Sequence, residues 1–207
     1  MKIIPIGPIS VFGTKCYLVV SENNNAVLVD APDEAEYIVD VAKKNNCNIK
    51  KILLTHGHCD HIGAAAQIKK MTDCEVYIHE DDAKKLSDPV GNLTSFFGLM
   101  TVEKVSEYTT VREGDKITLD EMTFEVLHTP GHTSGSVCYL VDDVMFSGDT
   151  LFNLSIGRTD MPDGSMSTLS KSLKKLCEIK KNYTVYPGHM DKTTLDFERE
   201  NNPYLYY

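Results

Sequence analysis

Hydrophobic positions in this chain fall in short blocks separated by polar turns, and the blocks alternate between two periods. Residues 16–20 (Cys-Tyr-Leu-Val-Val) and 26–30 (Ala-Val-Leu-Val-Asp) are β-rich runs, divided by the turn-prone Ser21-Glu22-Asn23-Asn24-Asn25. Residues 33–45 then predict a helix, with Tyr37, Ile38, Val41 and Ala42 as its apolar stripe. A buried strand is expected at 51–54, a helix at 62–71 whose Ala64, Ala65 and Ala66 permit close packing on a sheet, and a strand at 75–78. The second half repeats the mixture. Strands are predicted at 122–127, 136–141, 144–146 and 183–186, and Leu169, Leu173 and Leu176 mark the inner face of a helix. Two α/β halves without a close internal repeat predict two sheets packed face to face with helices outside, in one domain over residues 1–207. Residues 88–110 are the least regular stretch. Pro89, Gly91, Asn92 and Gly98 interrupt it while Phe96, Phe97, Leu99 and Met100 keep it apolar, so it is expected to be a lid or binding loop.

One polar segment stands out directly after the strand at 51–54. Thr55-His56-Gly57-His58-Cys59-Asp60-His61 holds three of the chain's seven histidines beside a carboxylate. Nitrogen and oxygen donors at this density suit a borderline or hard divalent metal better than any packing role. Three further segments extend the pattern: Thr129-Pro130-Gly131-His132, Phe146-Ser147-Gly148-Asp149 and Tyr186-Pro187-Gly188-His189. In each the candidate ligand follows the C-terminal end of a predicted strand, where α/β proteins assemble their sites, and a neighbouring glycine lets the backbone pass close to the ligand group. Seven candidates are too many for one tetrahedral ion and suit two ions that share a carboxylate. His56, His58 and His132 are assigned to the first, Asp60, His61 and His189 to the second, and Asp149 to the bridge. Two divalent metal ions are therefore the expected cofactor, with zinc first and iron or manganese as alternatives. Sites without thiolates and with room for a bridging water are catalytic rather than structural. The remaining candidates read more plainly. His128 is expected to be structural or to support a ligand, His79 to start a helix or face solvent, and Cys59 to be the variable spacer of an HxHxDH motif.

Charge and composition narrow the partners. A net charge of −9 argues against nucleic acid and against an anionic membrane surface. No apolar run approaches the roughly 20 residues that span a bilayer, and the Pro-containing start Met1-Lys2-Ile3-Ile4-Pro5-Ile6-Gly7-Pro8 does not suit a signal peptide. Six scattered cysteines without a CxxC pair predict reduced, buried thiols and a cytoplasmic location.

Taken together, these ligand segments resemble, in order and over almost the whole length, those of the metallo-β-lactamase-fold hydrolases. The resemblance implies an αββα sandwich, two mixed sheets with outer helices and metals in a cleft at one edge. Asp149 stands where the commonest secreted class B β-lactamases use cysteine. Within the superfamily the chain is similar to the short bacterial members of the glyoxalase II group. Ser155-Ile156-Gly157-Arg158-Thr159-Asp160 resembles their (S/C)xGRTD segment, and equally that of the persulfide dioxygenases; Phe197-Glu198-Arg199-Glu200-Asn201-Asn202-Pro203-Tyr204 resembles their ER..NP(F/Y) tail. Met190-Asp191 replaces a common Gly-Pro, and the helical domain that carries glutathione contacts in full-length glyoxalase II is not expected after His189. The implied activity is hydrolysis of a small-molecule thioester of the hydroxyacylglutathione (S-lactoylglutathione) type through a metal-bridging hydroxide. Asp60 would orient the water, and Arg158 would hold a substrate carboxylate through its planar fork. The alternatives are oxidation of a persulfide by O2 at one iron held by His56, His132 and Asp149, and a lactonase or other hydrolase of the same fold. A monomer or small homo-oligomer is expected.

Overall fold

The computed structural model describes residues 1–205. The first half of the chain builds a mixed sheet in chain order: β1 (Lys2–Ile9), β2 (Thr14–Val20), β3 (Asn25–Val29), β4 (Asn48–Leu53), β5 (Glu75–His79) and β6 (Thr109–Val111). β1, β2 and β3 pair antiparallel, and β3 through β6 pair parallel. The second half builds another. β7 (Lys116–Leu119), β8 (Met122–His128), β9 (Val137–Val141) and β10 (Val144–Gly148) are antiparallel neighbours. A small ribbon of β11 (Leu151–Phe152) and β12 (Ser155–Ile156) follows, and the sheet continues through β13 (Thr184–Pro187), parallel to β10, to β14 (Thr193–Thr194). The helices are α1 (Ala35–Lys44), α2 (Cys59–Ile62), α3 (Ala65–Thr72), α4 (Thr94–Phe97), α5 (Met166–Glu178) and α6 (Leu195–Asn201), with a 3-10 helix over Glu80–Leu86.

Three apolar layers explain the continuous apolar runs. In β2, Cys16, Leu18 and Val20 pack outward against α1 and α3, while Tyr17 and Val19 point between the sheets. β3 divides in the same way, with Ala26 and Leu28 outward and Val27 and Val29 inward. Across the interface lie Phe124, Val126, Tyr139 and Phe146. On the far side, Met145 and Val185 meet Leu169, Leu173 and Leu176 of α5 and Leu195 of α6. Strands covered on both faces need no polar alternation. The result is the expected αββα sandwich.

Some expectations shift. The buried stripe of α1 is Ala35, Ile38, Val39 and Ala42, at i, i+3, i+4 and i+7; Tyr37 is 49 % exposed. The predicted helix at 62–71 is two helices. The chain breaks at Gly63-Ala64, where the Ala64 amide donates to Ala31 O (2.9 Å) and a Gly63 Cβ would lie 2.1 Å from Pro32 O. The Pro-containing start is the edge strand β1, which hydrogen-bonds only to β2 and so tolerates Pro5 and Pro8. Residues 88–110 are irregular apart from the one-turn α4 and the start of β6. Among the described residues no helix is long and apolar enough to cross a membrane.

Candidate metal centre

Seven side chains meet at one edge of the sandwich, four from the first sheet and three from the second. His56 and His58 leave the end of β4, and Asp60 and His61 occupy the single turn of α2. His132 lies between β8 and β9, Asp149 just past β10, and His189 just past β13. Donor atoms of His56, His58 and His132 lie within 4.8 Å of one another; so do those of Asp60, His61 and His189, and those of His56, His61 and Asp149. Asp149 spans the two groups. Its Oδ1 is 3.3 Å from His61 Nε2, and its Oδ2 is 3.5 Å from His132 Nε2 and 3.4 Å from His189 Nε2. Asp60 Oδ2 lies 3.4 Å from His189 Nε2 and 3.6 Å from His61 Nε2.

Whether these donors fit metal ions can be judged from their hydrogen bonding. Buried polar atoms are nearly always paired, yet His56 Nε2, His58 Nε2, His61 Nε2 and Asp149 Oδ1 are buried here without a partner in the protein. Two of the rings have their tautomers set from behind. His61 Nδ1–H donates to Asp30 Oδ2 (2.9 Å), and His132 Nδ1–H donates to the Arg158 carbonyl (2.7 Å). Each therefore points Nε2 at the cluster, the nitrogen through which an imidazole ligates a metal once it is free of its proton. The donor set of nitrogen and carboxylate oxygen fits two divalent cations.

The electrostatics agree. Burial lowers His56 and His58, and neighbouring imidazoles push the same way, holding His58 near about 3. Burial also opposes protonation of His61, but Asp149, Asp60 and Asp30 raise it well above the usual imidazole range. His189 rises to about 9 against its burial, through hydrogen bonds with Asp149 and Asp60. Asp60 falls to about 2 despite burial, chiefly through His61 and His189. The centre thus concentrates negative charge that seeks cations.

Residues that no ligand pattern singles out hold this geometry. Asp30, at the end of β3, accepts from the Thr55 amide (2.8 Å) and hydroxyl (2.8 Å) as well as from His61. The Thr14 hydroxyl donates to Asp60 Oδ2 (2.8 Å). Asp82, fully buried in the 3-10 helix, accepts from Gly57 N (2.7 Å), Thr133 Oγ1 (2.8 Å), Gly135 N (3.0 Å) and Lys85 Nζ (2.5 Å). It therefore ties the loop of His56 and His58 to the loop of His132. Gly188 admits no side chain, because a Cβ there would lie 2.5 Å from both Asp149 Oδ1 and His61 Cε1. Asp30 carried one usable signal, its place at a strand end like the ligands; Asp82 is indistinguishable in sequence from its neighbours in Glu80-Asp81-Asp82.

Other candidates settle differently. The Arg158 guanidinium is bound two-pronged by Asp160 (Nε–Oδ1 and Nη2–Oδ2, both 2.7 Å), so its fork already has a carboxylate partner. His79 caps the 3-10 helix, accepting from the Asp81 amide at 3.3 Å, but it is buried rather than on the surface and stacks on His128 at 4.0 Å. His128 Nε2 donates to Ser134 O (2.9 Å), away from the seven-residue cluster. Cys59 is buried, and burial with the adjacent Asp60 raises its thiol to about 11, which disfavours a nucleophilic thiolate, and among the described residues it joins none of the donor groups. The cleft of about 140 Å³ over the centre is lined by His58, Asp60, His132, Asp149 and His189, with Phe12, Leu93, Phe97, Arg158 and Met161 around them.

The chain matches known proteins over nearly its full length. It is 35 % identical over 206 residues to the hydroxyacylglutathione hydrolase GloC of Haemophilus influenzae, covering 98 % of this chain and 97 % of that protein. The crystal structure of BLEG-1 B3 metallo-beta-lactamase superposes with a TM-score of 0.88 at 32 % identity, covering 98 % of this chain and 99 % of that one. TTHA1623, solved in a di-iron-bound form, gives 0.87 at 33 % identity, covering 98 % and 100 %. The family model of the metallo-beta-lactamase superfamily matches residues 9–189, from the end of β1 to the last histidine of the cluster. With its sandwich fold and its edge cluster of histidine and aspartate donors, this chain belongs to the metallo-β-lactamase superfamily.

Proposed function

We propose that this metallo-hydrolase cleaves a thioester of the hydroxyacylglutathione type. The observation that carries the reading is the pair of donor triads joined by Asp149, with four buried donor atoms left to a cation; the likeness to GloC supports the thioester. Two divalent ions held there would supply hydroxide near neutral pH and polarise a carbonyl. His56, His58 and His132 would hold one ion, Asp60, His61 and His189 the other, and Asp149 both. Asp60, steadied by the Thr14 hydroxyl, orients the attacking water. Arg158 shapes the cleft wall, through the carbonyl that fixes His132 and the ion pair with Asp160.

The purified chain, loaded in turn with zinc, iron and manganese, should hold about two ions and release thiol from S-lactoylglutathione. A second reading, persulfide oxidation at a single iron, draws on the Ser155–Asp160 segment, which fits either group. About one iron per chain, O2 consumption on glutathione persulfide and no thioester cleavage would replace the first reading with the second. His189→Ala should remove the second ion and reduce kcat/KM by more than the ~10–100-fold typical of changes outside the ligand shell; full metal content with undiminished rate would refute the assignment.

A further inference from the structure

The side of the cleft facing the donors is apolar, and it belongs to none of the three packed layers. Phe12 arrives from the turn between β1 and β2, and Leu93 and Phe97 from the 88–110 loop. Phe12 and Phe97 meet edge to face with ring centroids 5.1 Å apart, and Phe97 meets Phe96 at 5.2 Å. Nothing in α4 is buried, and Leu93 and Gly98 bound it in left-handed backbone (φ 70° and 63°); Phe96 stands outward on this single turn while Phe97 is half-buried against Phe12. The apolar surface continues outward through Val11, 76 % exposed, Phe96 at 71 % and Leu99 at 62 %. Phe12 and Phe97 are half-buried and Leu93 is buried, so they form an apolar wall that opens onto this exposed rim, an arrangement characteristic of ligand subsites.

Charge at the same rim points the same way. Arg158 is the one Lys or Arg among the described residues lining the cleft, and Asp160 already neutralises it. A glutathione moiety carries two carboxylates and an ammonium, and this rim gives them no unpaired cation. An apolar group on the substrate would instead gain burial against Phe12, Leu93 and Phe97.

We propose that Phe12, Leu93 and Phe97 form a subsite for an apolar or aromatic group adjoining the scissile thioester. The inference rests on the thioesterase reading and departs from its hydroxyacylglutathione substrate on one side: the preferred thioester carries an apolar group on its acyl or its thiol side.

Three thioesters separate the possibilities: S-lactoylglutathione, polar on both sides; S-phenylacetylglutathione, apolar in the acyl group; and S-lactoyl benzyl mercaptan, apolar in the thiol. On the metal-loaded chain, one of the apolar pair should exceed S-lactoylglutathione in kcat/KM by roughly tenfold, mainly through KM, and which one does so identifies the side. In Phe97→Ala and Phe12→Ala that ratio should fall toward one while metal content and Tm stay near those of the parent. Equal kcat/KM for all three, or a ratio that survives both substitutions, would overturn the subsite. So would sedimentation showing a dimer that Phe97→Ala dissociates without altering the ratio, because the surface would then cover a second copy. If no thioester is cleaved, the thioesterase reading fails, and calorimetry with the two thiols still judges the subsite. Tighter binding of benzyl mercaptan than of glutathione, lost in Phe97→Ala, keeps it; equal affinity removes it.

Discussion

Asp30 shows how much of a ligand's chemistry is decided behind it. Its carboxylate accepts from His61 and twice from Thr55, so it fixes both the tautomer of one donor and the backbone that launches two others. Asp30→Asn keeps the shape but replaces one acceptor oxygen with an amide donor. It should lower metal affinity at the Asp60, His61 and His189 group by ~10–100-fold with the fold intact, as competition with a chromogenic chelator would show; unchanged affinity would mean His61 keeps its tautomer unaided. The seven side chains that meet at the sandwich edge were legible in the sequence, because five of them sit beside glycine just past a strand end and Asp60 and His61 follow in the same short motif. What was not legible is what each polar side chain faces. Arg158 reads as a free fork until Asp160 is seen across it, and His79 reads as exposed until His128 is seen against its ring. The Arg158–Asp160 pair is local but closes only in this loop conformation, whereas the His79–His128 stack depends on tertiary approach and leaves no trace in spacing.

Between elements, the 3-10 helix over Glu80–Leu86 acts as a strut. Asp82 and Lys85 lie under the two ligand loops, and Lys85 also reaches Asp163 (2.9 Å), whose carboxylate holds the Ser134 amide and hydroxyl. Asp82→Ala would leave Lys85 without its shortest partner and the Gly57 and Gly135 amides unpaired in a buried setting. Breaking such a pair costs about 3–5 kcal/mol, which denaturant unfolding of the metal-free chain would register; a loss below about 1 kcal/mol, the worth of an exposed pair, would show that the strut is dispensable. Much of the element order was visible in the alternation of apolar blocks, but β1, the 3-10 helix and the short α4 were not, nor were β6, β7, the β11–β12 ribbon, β14 and α6. β1 is disguised by prolines that only an edge position tolerates, and the 3-10 helix and α4 are too short for any period to register.

At the scale of the whole molecule, the carboxylates surrounding His61 and His189 hold protons that metal ions must displace. Because both imidazoles titrate above their ordinary value, the stability they lend the metal-free chain is complete below pH ~6.5. It is lost as pH rises through about 9 for His189. Zinc titrated into the chelated chain at pH 7.5, in buffers of different ionisation enthalpy, should release about two protons per chain, fewer as the pH passes 9; no buffer dependence would show these histidines to be neutral already. The sandwich also has a simple chain order. Every strand of the first sheet precedes every strand of the second, and the chain crosses once, between Val111 and Lys116. A chain opened at that crossing would yield two fragments, each owning one sheet and neither owning a complete centre, since His56 and His58 need His132 from the other. Separately expressed, residues 1–113 and 114–207 should associate more tightly with zinc than with a chelator, making the ions the rivets of a two-piece enzyme. Light scattering of the mixed fragments would show it, and association indifferent to zinc would assign the join to the apolar layer alone.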